Sequence, residues 1–205
     1  SIPRTIASMQ DAIGNAVHTV MDGPVKGQVI LITGMGPIGL FAAAICKTMG
    51  ATKVIATEVS DYRINLAYEL GADVVLNPMV DDVAAEIEKL APKGVDGVLE
   101  MSGHPSSLDL AINVCRPGGR ISLLGLYKDK LDGVDLNMMI FKGQRVQGII
   151  GRHLWKTWDQ MTDLLANQGL DLTPIVTHEM HYSEYEEAMS ILNKGEAGKI
   201  VLSFD

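Results

Sequence analysis

The sequence lacks the features that would direct it to a membrane or to nucleic acid. No apolar run approaches the roughly 20 residues that a bilayer-spanning helix needs, and no basic-then-apolar leader opens the chain. An excess of positive charge is also missing, since 25 acidic residues against 17 basic ones give a formal net charge of -8. Non-specific nucleic-acid binding needs a basic face. We therefore expect a cytoplasmic protein with neither a membrane partner nor a nucleic-acid partner.

Cysteine is scarce as well, and the two that exist are far apart. Cys46 lies within a predicted helix, and Cys115 lies at the end of a later one. Neither has a second cysteine or a histidine at metal-ligand spacing, and the chain contains no recognisable zinc cluster. We expect both cysteines to be small buried residues in a reducing cytoplasm, and we expect no metal site in this chain.

The strongest positive signal is a glycine-rich turn that follows the apolar run Val29–Thr33 and precedes an apolar helical pattern. The turn consists of Gly34, Met35, Gly36, Pro37, Ile38 and Gly39. A G-x-G-x-x-G match gains meaning when a strand precedes it and a helix follows. Gly34 permits the tight turn, Gly36 lets the backbone approach a pyrophosphate, and Gly39 lets the helix pack closely. Free N–H groups at the helix start would then bind the phosphates.

Alternating strands and helices predict an α/β fold with a doubly wound, six-stranded parallel sheet, the Rossmann fold. The predicted strands are Val29–Thr33, Lys53–Glu58, Asp73–Leu76, Gly97–Met101, Arg120–Leu124 and Val146–Ile150. The helical patterns between the first five are Ile38–Met49, Asp61–Leu70, Val80–Leu90 and Ser106–Val114. Strands rich in Val, Ile and Leu without strict alternation fit a sheet that is buried on both faces.

The two ends of the chain fall outside this plan. An apolar stripe over Ile6–Met21 predicts one helix before the first strand. After a predicted helix Leu154–Asn167, the tail is a strand–helix–strand segment. It consists of a short strand Ile175–Thr177, a helix that Ser183 begins with Glu186 completing a capping box, and a last strand Lys199–Phe204. We predict that this tail does not extend the six-stranded sheet.

Several strand ends carry candidate cofactor ligands. Glu58 ends the second strand 19 residues after Gly39, the spacing of the acidic residue that binds the adenosine ribose. Its charge would repel a 2′-phosphate, which favours NAD over NADP. Arg63, one turn into the next helix, could lie over the adenine. The later strand ends, at Leu124, Gly125 and Leu126 and at Ile149 and Ile150, point to the same cleft and suit a nicotinamide. Ordinary core packing is the alternative for the apolar residues.

Together these residues resemble the zinc-dependent medium-chain dehydrogenase family, and within it the members that oxidise L-threonine. The segments that carry the resemblance are Asp11–Thr19, Gly34–Gly39, Leu99–Gly103, Ile140–Gly143, and Gly151–Trp155 with Thr157 and Trp158. The resemblance implies zinc-assisted hydride transfer from the 3-hydroxyl carbon of L-threonine to NAD, giving 2-amino-3-oxobutanoate. It implies that Ile38, Glu58 and Arg63 contact the adenosine and diphosphate, and that Leu124–Leu126 and Ile149–Ile150 frame the nicotinamide. It also implies that Asp11 serves a proton relay without binding zinc.

The chain departs from this family because the N-terminal lobe that carries the zinc ligands is missing from it. On the resemblance, residues 1–24 are a helix linking to that lobe, residues 25–170 are the NAD-binding domain, and residues 171–205 return to the lobe. We expect zinc only in the missing lobe, NAD binding without turnover by this chain alone, and a homo-oligomer. Open alternatives are another zinc alcohol or polyol dehydrogenase acting on sorbitol or butanediol, a free-standing NAD-sensing module, and a methyltransferase.

Overall fold

A six-stranded parallel sheet lies at the centre of the computed structural model, which describes residues 2–204. Its strands are β1 (Val29–Thr33), β2 (Lys53–Thr57), β3 (Val74–Leu76), β4 (Val95–Glu100), β5 (Cys115–Leu123) and β6 (Arg145–Gly148). They lie in the order β3-β2-β1-β4-β5-β6, and each neighbouring pair is parallel. The order reverses between β1 and β4, which creates a crevice at the carboxyl ends of these two strands. The predicted doubly wound sheet is confirmed.

Helices cover both faces of this sheet. They are α1 (Arg4–Ala7), α2 (Gln10–Val20), α3 (Pro37–Thr48), α4 (Asp61–Glu69), α5 (Val83–Leu90), α6 (Pro105–Val114), α7 (Leu136–Lys142), α8 (Lys156–Ala166) and α9 (Tyr185–Lys194). Within β1, Ile30 and Ile32 belong to the core shared with α2 and α3, whereas Leu31 belongs to the core shared with α5 and α6. All three are fully buried. Side chains alternate between the faces of a strand, so a strand buried on both sides must be apolar throughout.

The predicted single helix at the start of the chain is wrong in its continuity. The helix α1 ends at Ala7 and α2 begins at Gln10, so the helix is interrupted between them. The Ser8 hydroxyl donates to the carbonyl of Thr5 at 2.7 Å, and such local bonds compete with helix propagation. Ile6 and Met9 are nevertheless buried, so the apolar stripe still packs onto the core.

The tail forms a sheet of its own, as predicted. Its strands β7 (Val176–His181) and β8 (Lys199–Ser203) pair in parallel and are separate from the six-stranded sheet. The expected strand start at Ile175 is instead the end of a 3-10 helix, Thr173–Ile175. This short helix contacts α3 and α4 and buries Ile175 completely. The assignment of residues 171–205 to another lobe remains a prediction.

The predicted capping box at Ser183 and Glu186 is wrong. His181 is the capping residue: its ring nitrogen Nδ1 accepts from the Ser183 N–H, and the Glu184 carboxylate accepts from the His181 N–H at 2.8 Å. A 3-10 turn from Tyr182 to Glu184 precedes α9 and moves the cap two residues towards the N-terminus. His181 and Glu184 have the same spacing as the predicted pair, but histidine is not one of the residues that the capping pattern names.

The helix α7 was not predicted; it packs against α6 and β5 and directly precedes the edge strand β6 in the chain. Asp135 begins it by accepting from the Met138 N–H at 2.9 Å. Its residues Ile140 and Phe141 are 72% and 89% exposed, and all four residues of the neighbouring edge strand β6 are exposed as well. This edge therefore presents unpaired backbone groups together with apolar side chains.

Both cysteines are buried free thiols, as the sequence suggested. Burial raises the pKa of Cys46 to about 12 and the pKa of Cys115 to about 11. Both thiols are therefore protonated at neutral pH and are poor nucleophiles. Within residues 2–204, none of the helices has the length and apolar character required to cross a membrane.

Candidate cofactor-binding site

The glycine turn between β1 and α3 has almost no free space on its inner side. Gly34 has a φ of +83°, a region that favours glycine, and its N–H donates to the Thr57 carbonyl at 3.0 Å. A Cβ added at Gly39 would lie 2.0 Å from the Gly34 carbonyl oxygen. The first turn of α3 can therefore approach the end of β1 only because Gly39 has no side chain. This agrees with the role predicted for Gly39.

Gly36, in contrast to Gly39, borders open space. A Cβ added there would meet no heavy atom within 4 Å. Gly36 is also the residue immediately before α3, which begins at Pro37. Its surface is therefore open space at a helix N-terminus, where free N–H groups and the helix dipole favour a phosphate. The geometry fits a dinucleotide diphosphate, and the contacts of Gly36, Pro37 and Ile38 with a cofactor stay predictions.

Glu58 lies directly beside this turn and is 7% exposed. Its Oε2 accepts from the Met35 N–H at 2.9 Å, so the carboxylate bonds the glycine turn itself. Its Oε1 accepts from the N–H groups of Val59 and Ser60 at 2.8 and 3.0 Å. A carboxylate oxygen can accept two hydrogen bonds, so Oε2 keeps capacity for a ribose hydroxyl. Glu58 thus orders the turn, and its predicted role in binding the ribose stays a prediction.

A cavity of about 530 Å³ opens in front of Gly34 and Glu58. Its remaining walls come from the loops after β3 and β4 and from the helices that follow these loops; the residues that line it include Pro78, Met79, Asp81, Ser102, His104 and Leu110. Sequence reasoning missed the loop after β3, although it also follows a strand's carboxyl end and could have been found by that rule. The size and position of the cavity suit an adenosine group.

Arg63 lies in the first turn of α4, which Ser60 caps. It does not line the 530 Å³ cavity. Its Nε is buried and, among residues 2–204, has no hydrogen-bond partner. An unpaired buried donor is costly, which is consistent with a ligand completing this site. The predicted contact of Arg63 with adenosine remains a prediction.

Glu100, at the end of β4, organises the other half of the crevice, and sequence reasoning did not identify it. It is fully buried, and its Oε1 accepts from the N–H groups of Ser102 and Gly103 at 2.9 and 3.0 Å. Its Oε2 accepts from the Tyr127 hydroxyl at 2.9 Å. Burial, together with the Glu100 charge, raises the pKa of Tyr127. A buried carboxylate with several donors holds the loops after β4 and β5 in one arrangement.

The predicted nicotinamide residues lie at these strand ends but differ in exposure. The N–H groups of Leu124 and Gly125 both donate to the Glu100 carbonyl, at 2.9 and 3.0 Å. Leu126 and Ile150 are 93% and 89% exposed, which leaves two apolar side chains free to contact a ring. Ile149 is buried, and its N–H already donates to the Leu123 carbonyl at 2.8 Å. The sheet brings these residues to one edge, and their roles remain predictions.

Asp11, the predicted relay residue, forms an ion pair with Arg152. The guanidinium of Arg152 lies 5.1 Å from the centre of the Trp158 ring. In the same cluster, His18 Nδ1 lies 3.0 Å from the Gly151 carbonyl oxygen. The structure therefore joins α2 to the segment after β6. These are the two sequence segments that carried the most specific part of the resemblance.

A zinc site does not fit the residues that the structure describes. Across residues 2–204, no three His, Cys, Asp or Glu side chains come close enough together to hold a metal ion. Both cysteines are buried with raised pKa values, whereas zinc requires the thiolate. We therefore derive no step of a reaction through zinc from this chain.

The doubly wound sheet, the glycine turn and the carboxylate after β2 define a dinucleotide-binding α/β domain. Comparison with known families agrees, because a family described as zinc-binding dehydrogenase matches residues 37–167. The chain belongs to the zinc-binding dehydrogenase family.

Individual relatives narrow the comparison. The chain is 45% identical over 203 residues to an L-threonine 3-dehydrogenase of Pyrococcus abyssi, which covers 98% of this chain and 58% of that protein. It superimposes on 2R,3R-butanediol dehydrogenase from Bacillus subtilis with a TM-score of 0.88 and 28% identity, covering 97% of this chain and 57% of that one. It superimposes on L-idonate 5-dehydrogenase from Escherichia coli with a TM-score of 0.86 and 28% identity, covering 98% of this chain and 57% of that one. The chain thus spans under two thirds of each.

Two glycine variants separate the steric role of the turn from its binding role. We expect Gly39→Ala to lower the free energy of unfolding by about 1–3 kcal/mol, because its Cβ would overlap the Gly34 carbonyl. We expect Gly36→Ala to leave stability within about 0.5 kcal/mol but to weaken NAD binding about tenfold or more. Urea unfolding and calorimetry measure the two effects. Equal stability losses in both variants would contradict this assignment.

Proposed function

We propose that this chain is the NAD-binding domain of an L-threonine 3-dehydrogenase. The observation that carries the proposal is the 45% identity to such an enzyme over 98% of the chain. The geometry supports the cofactor half of it, since Gly34 and Glu58 border the cavity of about 530 Å³ and the backbone of Gly36 is open at the start of α3. We also place the protein in the cytoplasm, since its two cysteines are buried free thiols.

In this proposal the N-terminus of α3 binds the NAD diphosphate through N–H groups near Gly36 and Ile38. Glu58 accepts hydrogen bonds from the ribose hydroxyls, and its charge disfavours the 2′-phosphate of NADP. Arg63 contributes its guanidinium plane and its buried Nε, which has no hydrogen-bond partner within residues 2–204, to the adenosine side. Bound NAD would accept a hydride from the 3-hydroxyl carbon of L-threonine, leaving 2-amino-3-oxobutanoate.

The exposed side chains of Leu126 and Ile150 would exclude water from the nicotinamide face. Asp11, which is 73% exposed, could accept the proton that leaves the substrate hydroxyl. Metal ligands would have to come from a lobe outside the described residues, and the tail β7–β8 would pack against that lobe. In this proposal the chain alone binds NAD and does not turn threonine over.

Calorimetric titration with NAD and NADP tests the cofactor assignment. We expect the chain to bind NAD more tightly than NADP. Replacement of Glu58 by glutamine should weaken NAD binding about tenfold and reduce the discrimination, because hydrogen bonds to a charged group are worth about 1.5–3 kcal/mol. Glu88→Gln, an exposed change on α5, is the matched control. Absence of heat with either cofactor, or tighter binding of NADP, would overturn the proposal.

Substrate oxidation tests the enzymatic half. We expect no threonine-dependent NADH formation by this chain alone, and clear formation when it is joined to a zinc-binding lobe. The same assay with butanediol and sorbitol tests the second candidate, which the similarity to the butanediol dehydrogenase favours. Fast butanediol turnover without threonine turnover would favour that candidate instead. Threonine turnover by the chain alone would contradict our division between lobes.

We also propose that two copies associate through β6 and α7. An unpaired edge strand accepts a second edge strand readily, and a two-fold axis would pair the two β6 edges. The exposed side chains of Ile140 and Phe141 would be covered in such a pair. Phe141→Glu should convert a dimer to a monomer in sedimentation equilibrium. The control Tyr185→Glu, on the distant helix α9, should leave the dimer intact, and a monomeric parent chain would refute the proposal.

A further inference from the structure

The Arg152 cluster consists of Asp11, His18, Arg152 and Trp158. Cofactor binding does not explain this combination of side chains. We infer that Arg152 is the receptor for the carboxylate of the substrate, and that Asp11 occupies this receptor until the substrate arrives. The inference rests on the proposed function, because it assigns the carboxylate of an amino-acid substrate to a residue of this domain. It adds a specificity-determining residue that would separate carboxylate-bearing substrates from simple alcohols.

Arg152 occupies the position that such a receptor requires. It follows Gly151 beyond the carboxyl end of β6 and lies two residues after Ile150, which together with Ile149 is predicted to frame the nicotinamide. A substrate that donates a hydride must lie against the nicotinamide ring, so the groups of this domain that its carboxylate can reach are those at this edge. Within the cluster, Arg152 is the group whose permanent positive charge suits a carboxylate.

The guanidinium is held in a fixed orientation. It lies over the Trp158 ring at 5.1 Å, and its side chain is only 23% exposed. Its aliphatic part crosses α2 at Gly14, where an added Cβ would lie 2.4 Å from the Arg152 Cδ. Any residue larger than glycine at position 14 would therefore displace Arg152. Such preorganisation lowers the cost of binding a planar carboxylate with two parallel hydrogen bonds.

The present partner of Arg152 is easily exchanged. The Asp11 side chain is 73% exposed, and exposed ion pairs contribute little free energy. The Arg152 Nε is buried and has no hydrogen-bond partner within residues 2–204. The substrate carboxylate could thus take the place of the Asp11 carboxylate at little net cost in free energy. The exchange would also release Asp11 from its ion pair at the moment a substrate hydroxyl needs a proton acceptor.

The chain next to Arg152 is strained in a way that exposes an apolar wall. Trp155 is the single non-glycine residue with a positive φ in residues 2–204, with φ 67° and ψ -55°. The Lys156 N–H donates to the Leu154 carbonyl at 2.9 Å and closes a three-residue turn around it. This turn leaves Trp155 76% exposed and Leu154 67% exposed. Strained backbone of this kind is a reason to look for function. Here it places apolar surface beside the Arg152 guanidinium, which suits a substrate that carries a carboxylate and an aliphatic part.

Tryptophan fluorescence can report ligand binding at this site. The chain has two tryptophans, Trp155 and Trp158, and their ring centres are 6.1 Å apart in the cluster. Indole fluorescence of the whole chain therefore reports on the surroundings of Arg152 alone. A Trp155→Phe background leaves Trp158, under the guanidinium, as the single emitter. The NAD-loaded chain would be titrated with ligands at constant ionic strength, maintained with sodium chloride.

Three ligands separate the groups of the substrate. L-Threonine carries both the carboxylate and the amine, 3-hydroxybutanoate lacks the amine, and 1-aminopropan-2-ol lacks the carboxylate. We expect saturable fluorescence changes with the two carboxylates and none with 1-aminopropan-2-ol. An equal response to 1-aminopropan-2-ol, or the same response to sodium chloride alone, would overturn the inference.

Variants provide the decisive comparison. Arg152→Gln should weaken carboxylate binding about tenfold or more, and Arg152→Lys should weaken it less, because lysine keeps the charge without the planar pair of donors. Arg116→Gln, which removes a distant ion pair with Asp96, is the matched control and should leave the titration unchanged. Asp11→Asn should tighten carboxylate binding, because it removes the competing carboxylate. A purely structural ion pair predicts no such gain.

The same experiments distinguish the two proposals. Failure of the threonine dehydrogenase proposal would be seen in NAD calorimetry and substrate oxidation, which do not depend on Arg152 fluorescence. Failure of the Arg152 inference would be seen as unchanged carboxylate titration in Arg152→Gln, or as weaker titration in Asp11→Asn. Circular dichroism of each variant establishes that the fold is retained before its titration is read.

Discussion

The close approach of α3 to the end of β1 is the steric constraint on which the candidate cofactor site depends. The Gly39 backbone lies so near the Gly34 carbonyl that no side chain can stand between them. This contact turns the chain sharply enough for the N-terminus of α3 to face the crevice between β1 and β4. The open face of Gly36 is the counterpart of that crowding, because the same turn that excludes side chains inside leaves backbone accessible outside.

Two buried carboxylates hold the loops around this turn. Glu58 accepts from the glycine turn and from the chain after β2, and Glu100 accepts from the chain after β4 and from Tyr127. Buried carboxylates are tolerated only when such donors surround them, so each one fixes several backbone segments at once. The crevice is therefore ordered by residues within the chain before any ligand is bound. The same arrangement explains why one of these residues also suits a ribose.

The cluster around Arg152 is organised by a different principle. Asp11 lies on α2, whereas Arg152 and Trp158 belong to the segment after β6, and the two parts of the chain meet there. The Asp11 carboxylate in this ion pair is largely exposed, in contrast to the buried carboxylates of Glu58 and Glu100.

Local pattern determined the α/β class, all six central strands, the glycine turn and the candidate ribose carboxylate, because strand periodicity and turn chemistry are properties of neighbouring residues. It did not determine the interruption of the helix at Ser8 or the cap at His181. At both places side-chain hydrogen bonds decide where a helical segment ends or begins. The contacts of Glu100 and Arg152 were decided only by the tertiary structure. Their partners are distant in sequence, since Glu100 meets Tyr127 and Arg152 meets Asp11. Contacts of that kind exist only after the sheet has brought its strand ends together.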